Sequence, residues 1–369
     1  MPAQVRVYTD PACPWSWAAE PALRRLVWEF AVELEFTWVM GGLARQFGSE
    51  YSDSEGRIGE GPDCFADLIS HWLDVAGRTG MPNDPRIWTE NPLDSTYPAC
   101  QAVKAAAEQG WEAGSRYLRR VREGISVKRK KLDHFDALLA EAGPAGLDRD
   151  RFEIDLRSDA SIEAFGADLD EVRDPPQEAR GAGAVRRTEG HERISFPSAV
   201  FISGDGTRHG VWGSHEPAAY REAALAAGAE RANDGALEPL DAIERFDSCA
   251  TIELEELSGR PRPVIEAELW GLARDSKLEP VTAVELAYLK GHWKDGTLEL
   301  RRWQVPEREM EAYQERVRDA LSELIARERD LIAGGTYRPN PGANCYFCEF
   351  KSLCSLWPEG RPVFGGVEA

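Results

Sequence analysis

Of the seven cysteines in this chain of 369 residues, Cys13 has the setting that best suits a nucleophile. It stands in Val5-Arg6-Val7-Tyr8-Thr9-Asp10-Pro11-Ala12-Cys13-Pro14-Trp15-Ser16-Trp17. Val5 and Val7 alternate as in a strand, Asp10-Pro11 makes a turn, and Trp17, Leu23, Leu26 and Trp28 recur as in a helix. A thiol at the mouth of that helix meets unpaired backbone N–H groups and the positive end of the helix dipole, and both favour thiolate over thiol. Pro14 can open the helix, because its missing N–H would have had no partner in the first turn. Ser16 occupies the position, three residues on, where a dithiol site has its second cysteine. A C-x-x-C pair closes on itself and releases its substrate, whereas a C-x-x-S site forms a mixed disulfide that an outside thiol must resolve. Read structurally, the same cysteine is an inert residue buried in a turn.

The elements around Cys13 read as an α/β fold. The first helix ends near Phe30, and Leu34, Phe36 and Trp38 alternate with Glu33, Glu35 and Thr37 as in a half-buried strand, giving a β-α-β unit. Gly41-Gly42 break the pattern. Helices are expected at Cys64 to Gly77, Tyr97 to Gln109, Glu112 to Glu123 and His134 to Ala142, and Asp174 to Gly190 is a charged, Gly-rich segment. An apolar strand follows in Ile194-Ser195-Phe196-Pro197-Ser198-Ala199-Val200-Phe201-Ile202. Gly204-Asp205-Gly206 turns it into Thr207 to Trp212, and Glu216 to Ala227 reads as a closing helix.

This order of strand, C-P-W-x loop, helix, strand, helical insertion, F-P strand, hairpin and helix resembles the DsbA-like branch of the thioredoxin superfamily over about residues 1–230. The likeness is strongest to its cytosolic members related to FrnE and to the SpxH adaptor. The stretch from His71 to Ala107 resembles the family's helical insertion, which would occupy about residues 43–180. The resemblance implies a thiol-disulfide oxidoreductase with Cys13 and Ser16 as catalytic residues, Ser16 hydrogen-bonding the thiolate and an outside thiol such as glutathione resolving the product. Pro14, Trp15, Ser195, Phe196 and Pro197 are the implied substrate-binding residues. Phe196-Pro197 corresponds to the cis-proline loop that faces the redox cysteine, and since proline lacks an N–H, the Ser195 backbone would be left to pair with an incoming peptide or glutathione. The helix start at Ser95-Thr96-Tyr97-Pro98 would lie near the thiol. Cys100 just beyond it is either a remote resolving cysteine or a small apolar residue packed under the helix. The segment also resembles kappa-class glutathione transferases and 2-hydroxychromene-2-carboxylate isomerases, in which case the pocket would activate glutathione's own sulfur. A redox-inactive, protein-binding adaptor is the third reading.

From Gly228 to Pro239 the composition suggests a linker, so residues 231–264 read as linker and helix and 265–369 as a smaller α+β region. In that region Ile265 to Ala273 is helical in pattern, and Thr282 to Leu289 pairs as a hairpin with Thr297 to Trp303 across Lys294-Asp295-Gly296. A long amphipathic helix would follow from Pro306 to Ala333. The chain then carries Cys345, Cys348 and Cys354 in a C-x2-C-x5-C pattern with aromatic residues between them. This end resembles the cysteine-cluster terminus of RecB/AddB-like PD-(D/E)XK nuclease domains. That resemblance implies a four-iron four-sulfur cluster held by these three cysteines and Cys249; a zinc site and unliganded thiols are the alternatives. The nuclease chemistry needs a carboxylate and a D/E-x-K on neighbouring strands. Only Asp275-Ser276-Lys277 approaches that, in a loop, so nuclease activity is not expected.

The formal charge of −20 argues against a broad nucleic-acid or anionic-membrane surface, and no apolar run is long enough to span a bilayer. Without an export signal the chain reads as cytoplasmic, its cysteines as thiols, ligands or reactive groups. The expected partners are protein thiols, glutathione or a partner protein. Lys128-Arg129-Lys130-Lys131 reads either as a solvated helix face or as an attractor of acidic groups.

Overall fold

The computed structural model describes residues 2–47, 64–188, 190–274, 292–294 and 297–299. β1 (Ala3–Thr9) leads through the Asp10-Pro11 turn into α1 (Pro14–Ala18) and α2 (Glu20–Phe30), then into β2 (Leu34–Met40). The helix expected as one piece is two, because Pro21 has no N–H to offer the carbonyl of Trp17, which accepts from Ala19 instead. β1 and β2 pair in parallel from Ala3↔Leu34 to Thr9↔Met40. A helical region follows: α3 (Cys64–Thr79), α4 (Ile87–Glu90), α5 (Tyr97–Ala107), α6 (Trp111–Ser126), α7 (Phe135–Ala140), α8 (Arg149–Leu156), α9 (Asp159–Val172) and α10 (Gln177–Gly181). The Gly-rich segment after α9 holds α10 and a hairpin of β3 (Val185–Thr188) and β4 (His191–Ile194), which the pattern of charges hid. β5 (Ser198–Ile202), β6 (Arg208–Val211) and α11 (Pro217–Ala226) complete the fold, and the main sheet runs in the order β2-β1-β5-β6.

Alternation along β1 distributes its side chains between two cores. Val5 and Val7 join Leu23, Leu26, Phe30 and Phe201 on the α2 and α11 side. Tyr8 faces the other way, with Val39, Val200, Phe196 and Cys13. The insertion has its own core around Trp72, Trp88, Tyr117 and Phe152. It also covers the outer edge of β2: Lys104 donates to the Trp38 carbonyl (3.1 Å), Asp168 accepts from the Met40 N–H (2.8 Å), and the two side chains pair with each other at 2.8 Å. The edge strand is thus capped by charges that satisfy each other.

Residues 231–264 are not a spacer. α12 (Pro239–Phe246), α13 (Thr251–Ser258) and α14 (Arg262–Arg274) belong to one compact unit extending from Met1 to Pro280, and Ile265, at the expected boundary, is fully buried among Leu237, Leu254 and Leu257. Glu253 of α13 is 0% exposed and accepts both terminal nitrogens of Arg119 (2.7 and 2.9 Å) and Arg24 Nε (3.0 Å). Arg24 also reaches the Ser248 carbonyl at 2.5 Å. Removing this segment would leave two buried guanidiniums short of a carboxylate, which ties it to the rest of this unit.

The second unit spans Val281–Ala369, and its described part is a hairpin of β7 (His292–Lys294) and β8 (Thr297–Glu299), paired from His292↔Glu299 to Lys294↔Thr297. β8 begins at Thr297, where a strand was expected, but its described partner is His292–Lys294, and Asp295 and Gly296 lie outside the described residues. The expected strand at 282–289, the helix at 306–333 and Cys345, Cys348 and Cys354 lie outside the described residues.

Candidate active site: a thiol at the wall of a groove

Cys13 is the N-cap residue of α1, in extended backbone geometry, with Pro14 at the first helical position. Its carbonyl accepts from the Trp17 N–H at 3.0 Å, so the helix starts where the sequence placed it. Cys13 lines a groove of about 800 Å³ together with Pro14, Trp15, Ser195, Phe196 and Trp212. The Phe196-Pro197 peptide is cis, and Phe196 packs in the same cluster as Cys13. Two segments far apart in the chain therefore meet at one surface. Pro197 itself is buried and does not line the groove.

Gly41 makes this approach possible. It follows β2 directly, donates its N–H to the Thr9 carbonyl (2.7 Å), and lies where a Cβ would run into the Phe196 ring. Arg193 of β4 stacks on that ring, its guanidinium carbon 4.4 Å from the centroid. Phe196 is held between a bare backbone and a cation.

One implied role is corrected. The Ser195 N–H is not open to a substrate, since it donates to the Ala184 carbonyl at 2.9 Å, and the Ser195 carbonyl already accepts from Ser198 Oγ at 2.7 Å. The cause is the β3–β4 hairpin, whose ladder continues past Ile194 into the residue before the proline loop. A partner backbone would have to use the remaining lone pair of that carbonyl or other groups of the groove.

The electrostatics also differ from the expectation of an activated thiolate. Cys13 is only 6% exposed. Burial pushes its thiol above the ordinary range; the Ser16 hydroxyl and N–H pull it down, the Asp10 carboxylate pushes up, and Arg193 pulls down, with burial prevailing. Ser16 Oγ is buried and has no partner of ordinary hydrogen-bond geometry, so the sulfur is the polar group it serves.

Asp10 is the site residue that sequence reasoning took for a turn former. Its buried carboxylate accepts from the Ala12 N–H (2.9 Å), the Leu43 N–H (2.7 Å), Thr96 Oγ1 (3.0 Å) and Cys100 Sγ (3.4 Å). It thereby ties the Cys13 loop to the end of β2 and to the start of α5. Burial raises its pKa, opposed by those donors. The sequence signal was available: an Asp two residues before a backbone N–H it can cap.

Cys100 is 0% exposed, bonded to Asp10, and does not line the groove, so the structure packs it as a core residue and does not bring it to the substrate side of Cys13. The basic run is matched within the fold: Lys128 with Glu123 (3.3 Å), Arg129 with Glu90 (2.7 Å), Lys130 with Glu141 and Lys131 with Asp94 (2.7 Å). It lies past the end of α6, not on a helix face.

Among the described residues Cys249 sits in no ligand cluster; Cys345, Cys348 and Cys354, expected beside it, lie outside them. Its sulfur accepts from Arg24 at 3.0 Å and donates to the Ala242 carbonyl at 3.7 Å, and burial raises its pKa to about 11. A guanidinium against the sulfur opposes a metal cation there, and among the described residues no three His, Cys, Asp or Glu side chains converge to hold one. No helix among the described residues is long and apolar enough to cross a membrane.

Residues 7–174 match the family described as thioredoxin. The ClpXP adapter protein SpxH of Halalkalibacterium halodurans is 30% identical over 176 residues, covering 47% of this chain and 55% of the relative. Over this stretch the chain has a thioredoxin-like fold and is similar to SpxH. SpxH of Bacillus subtilis is 29% identical over 170 residues, covering 46% of this chain and 53% of the relative. The chain spans about half the length of these curated relatives. A putative protein disulfide isomerase from Nitrosomonas europaea aligns over 61% of this chain and 97% of its own at 20% identity and a TM-score of 0.47. The cytosolic disulfide reductase DsbM from Pseudomonas aeruginosa with GSH aligns over 53% and 85%, at 20% identity and a TM-score of 0.40. Nothing among these matches supports the nuclease likeness of the tail.

Proposed function

We propose that the thioredoxin-fold domain performs thiol–disulfide exchange through Cys13 in a monothiol cycle, acting on a segment of a partner protein seated between Trp15 and the Phe196-Pro197 loop. The observation that carries this reading is the placement of Cys13 at the head of α1 on the same groove as Phe196, with Ser16 in place of a second thiol. The Cys13 thiolate attacks a mixed disulfide such as peptide-S-S-glutathione; one S–S bond forms to Cys13, one breaks, and the peptide leaves as thiolate and takes up a proton. A glutathione thiolate then attacks the Cys13–glutathione disulfide, regenerating Cys13 and releasing glutathione disulfide, so one free glutathione thiol is consumed for each mixed disulfide reduced. The test is turnover of a glutathionylated peptide by the reduced protein. Release of peptide thiol that disappears in Cys13→Ser is expected; equal release by that variant would refute the reading.

A second reading is favoured by the burial that raises the Cys13 thiol and by the similarity to SpxH, a ClpXP adapter protein. Here the groove binds a partner without exchange. A partner retained equally by wild type and Cys13→Ser, with no peptide thiol released by either, is the outcome this reading requires.

A further inference from the structure

We infer that the β3–β4 hairpin beside Cys13 is a cationic docking rim, and that the segment it receives is an extended, acidic stretch of a partner polypeptide. The inference rests on the groove being a partner-binding site, and it names the chemistry of what binds.

Between residues 180 and 193 stand four arginines, Arg180, Arg186, Arg187 and Arg193, against two glutamates, Glu189 and Glu192, a local excess of two positive charges in a chain of net charge −20. Glu192 is taken by Arg180 at 2.7 Å. Arg187 is exposed and stands opposite Glu192 across the hairpin without reaching ion-pair distance, and Arg186 is exposed and makes no ion pair among the described residues. Arg186 lines the groove with Cys13 and Phe196, and among the described residues its guanidinium donates only to the carbonyls of Gly183 (3.1 Å) and Val185 (2.9 Å), at its own end of β3. A surface arginine held over its own strand, without a carboxylate, is a charge waiting for a counter-charge from outside.

The hairpin also offers backbone. It is a separate two-stranded sheet, so β3 has an outer edge, and the Ser195–Ala184 bond joins the hairpin to the residues just before the cis-proline loop. An extended segment laid along that edge would pass the groove mouth where the sulfur is. The opposite wall carries Asp67 and Asp74 on α3, Asp74 being held by Arg78 at 3.0 Å. Arg78 lines that wall as well, so the α3 side is largely balanced and the groove's unmatched positive charge lies on the hairpin side, where the acidic residues of a segment would sit.

Three peptides of equal length, each with one glutathionylated cysteine and with acidic, neutral or basic flanks, test this against wild type and Arg186→Glu/Arg187→Glu. At low salt the acidic peptide should exchange about tenfold faster than the basic one, with the difference shrinking as salt is added. The double variant should invert the order. Equal rates in wild type, a preference for the basic peptide, or an acidic preference retained by the double variant would overturn the rim. Failure of all three peptides to exchange would instead count against the Cys13 chemistry. Direct binding of the same peptides with serine in place of cysteine, read by fluorescence anisotropy, then decides the charge preference by the same criteria.

Discussion

The two sides of the α1–α2 segment are built on opposite rules. Behind it, Arg24, Arg119 and Arg122 face Glu20, Glu123 and Glu253 in the interior, three cations against three acids. Arg122 also holds Thr9, the residue before Asp10, and Arg119 lies 4.4 Å from the Trp17 ring centroid. In front, at the groove, Ser16 Oγ lacks an ordinary partner and Cys13 sits under a desolvation cost. The matched cluster fixes the chain on both sides of Cys13, so that the thiol can be held in a position it would not choose by itself.

The largest effect should come from breaking the matched side. Glu253→Ala leaves Arg24 and Arg119 buried with too few carboxylates, and a loss of about 3–5 kcal/mol in urea unfolding is expected. A change under about 1 kcal/mol would show that the cluster contributes little.

Acid titration should reach the same cluster. Burial works against ionised Glu123, but Arg119 and Ser248 outweigh it and hold its pKa at about 2. A carboxylate held below its unfolded value of about 4.3 contributes stability that is complete above that pH and is lost as pH falls toward about 2. Asp10, held above its usual range by burial, acts in the opposite sense and is relieved on acidification. Glu123→Gln should therefore flatten the fall in stability below pH about 4.3. An unchanged slope would contradict the pairing.

At the groove, Gly41→Ala should displace the Phe196 ring, costing about 1–3 kcal/mol and slowing exchange at Cys13. Wild-type stability and exchange rate would mean that the ring moves freely. Smallest in energy but most local is the alkylation profile of Cys13 with iodoacetamide. Because Asp10 raises the thiol pKa and Ser16 lowers it, the reaction midpoint should fall in Asp10→Asn and rise in Ser16→Ala. Shifts of the reverse sign would remove both residues from the electrostatics of the sulfur.

Much of this fold was legible because its signals are local and repeated. Val5 and Val7, the Cys13-Pro14 start, the alternation from Leu34 to Phe36 and the Gly204-Asp205-Gly206 turn each carry a period or a turn chemistry that survives tertiary context. The split at Pro21 was legible in principle, since proline at that point removes a helical donor. The rest depended on distance. No pattern near Ser195 says that Ala184 will take its N–H, and none near Asp10 says that Leu43, Thr96 and Cys100 will converge on it. The helices α12 and α13 fall where a helix was expected after the linker, but nothing local says that they pack with the first domain; their place is fixed by Glu253, whose partners lie more than a hundred residues earlier.

The most direct test of the account is the mapping of disulfides, by intact mass and peptide analysis, after the reduced protein meets a glutathionylated peptide and before any further thiol is added. A mixed disulfide on Cys13 that persists until glutathione is supplied is the expected result. Absence of any adduct on Cys13, or an internal disulfide joining Cys13 to another cysteine of the chain, would contradict it.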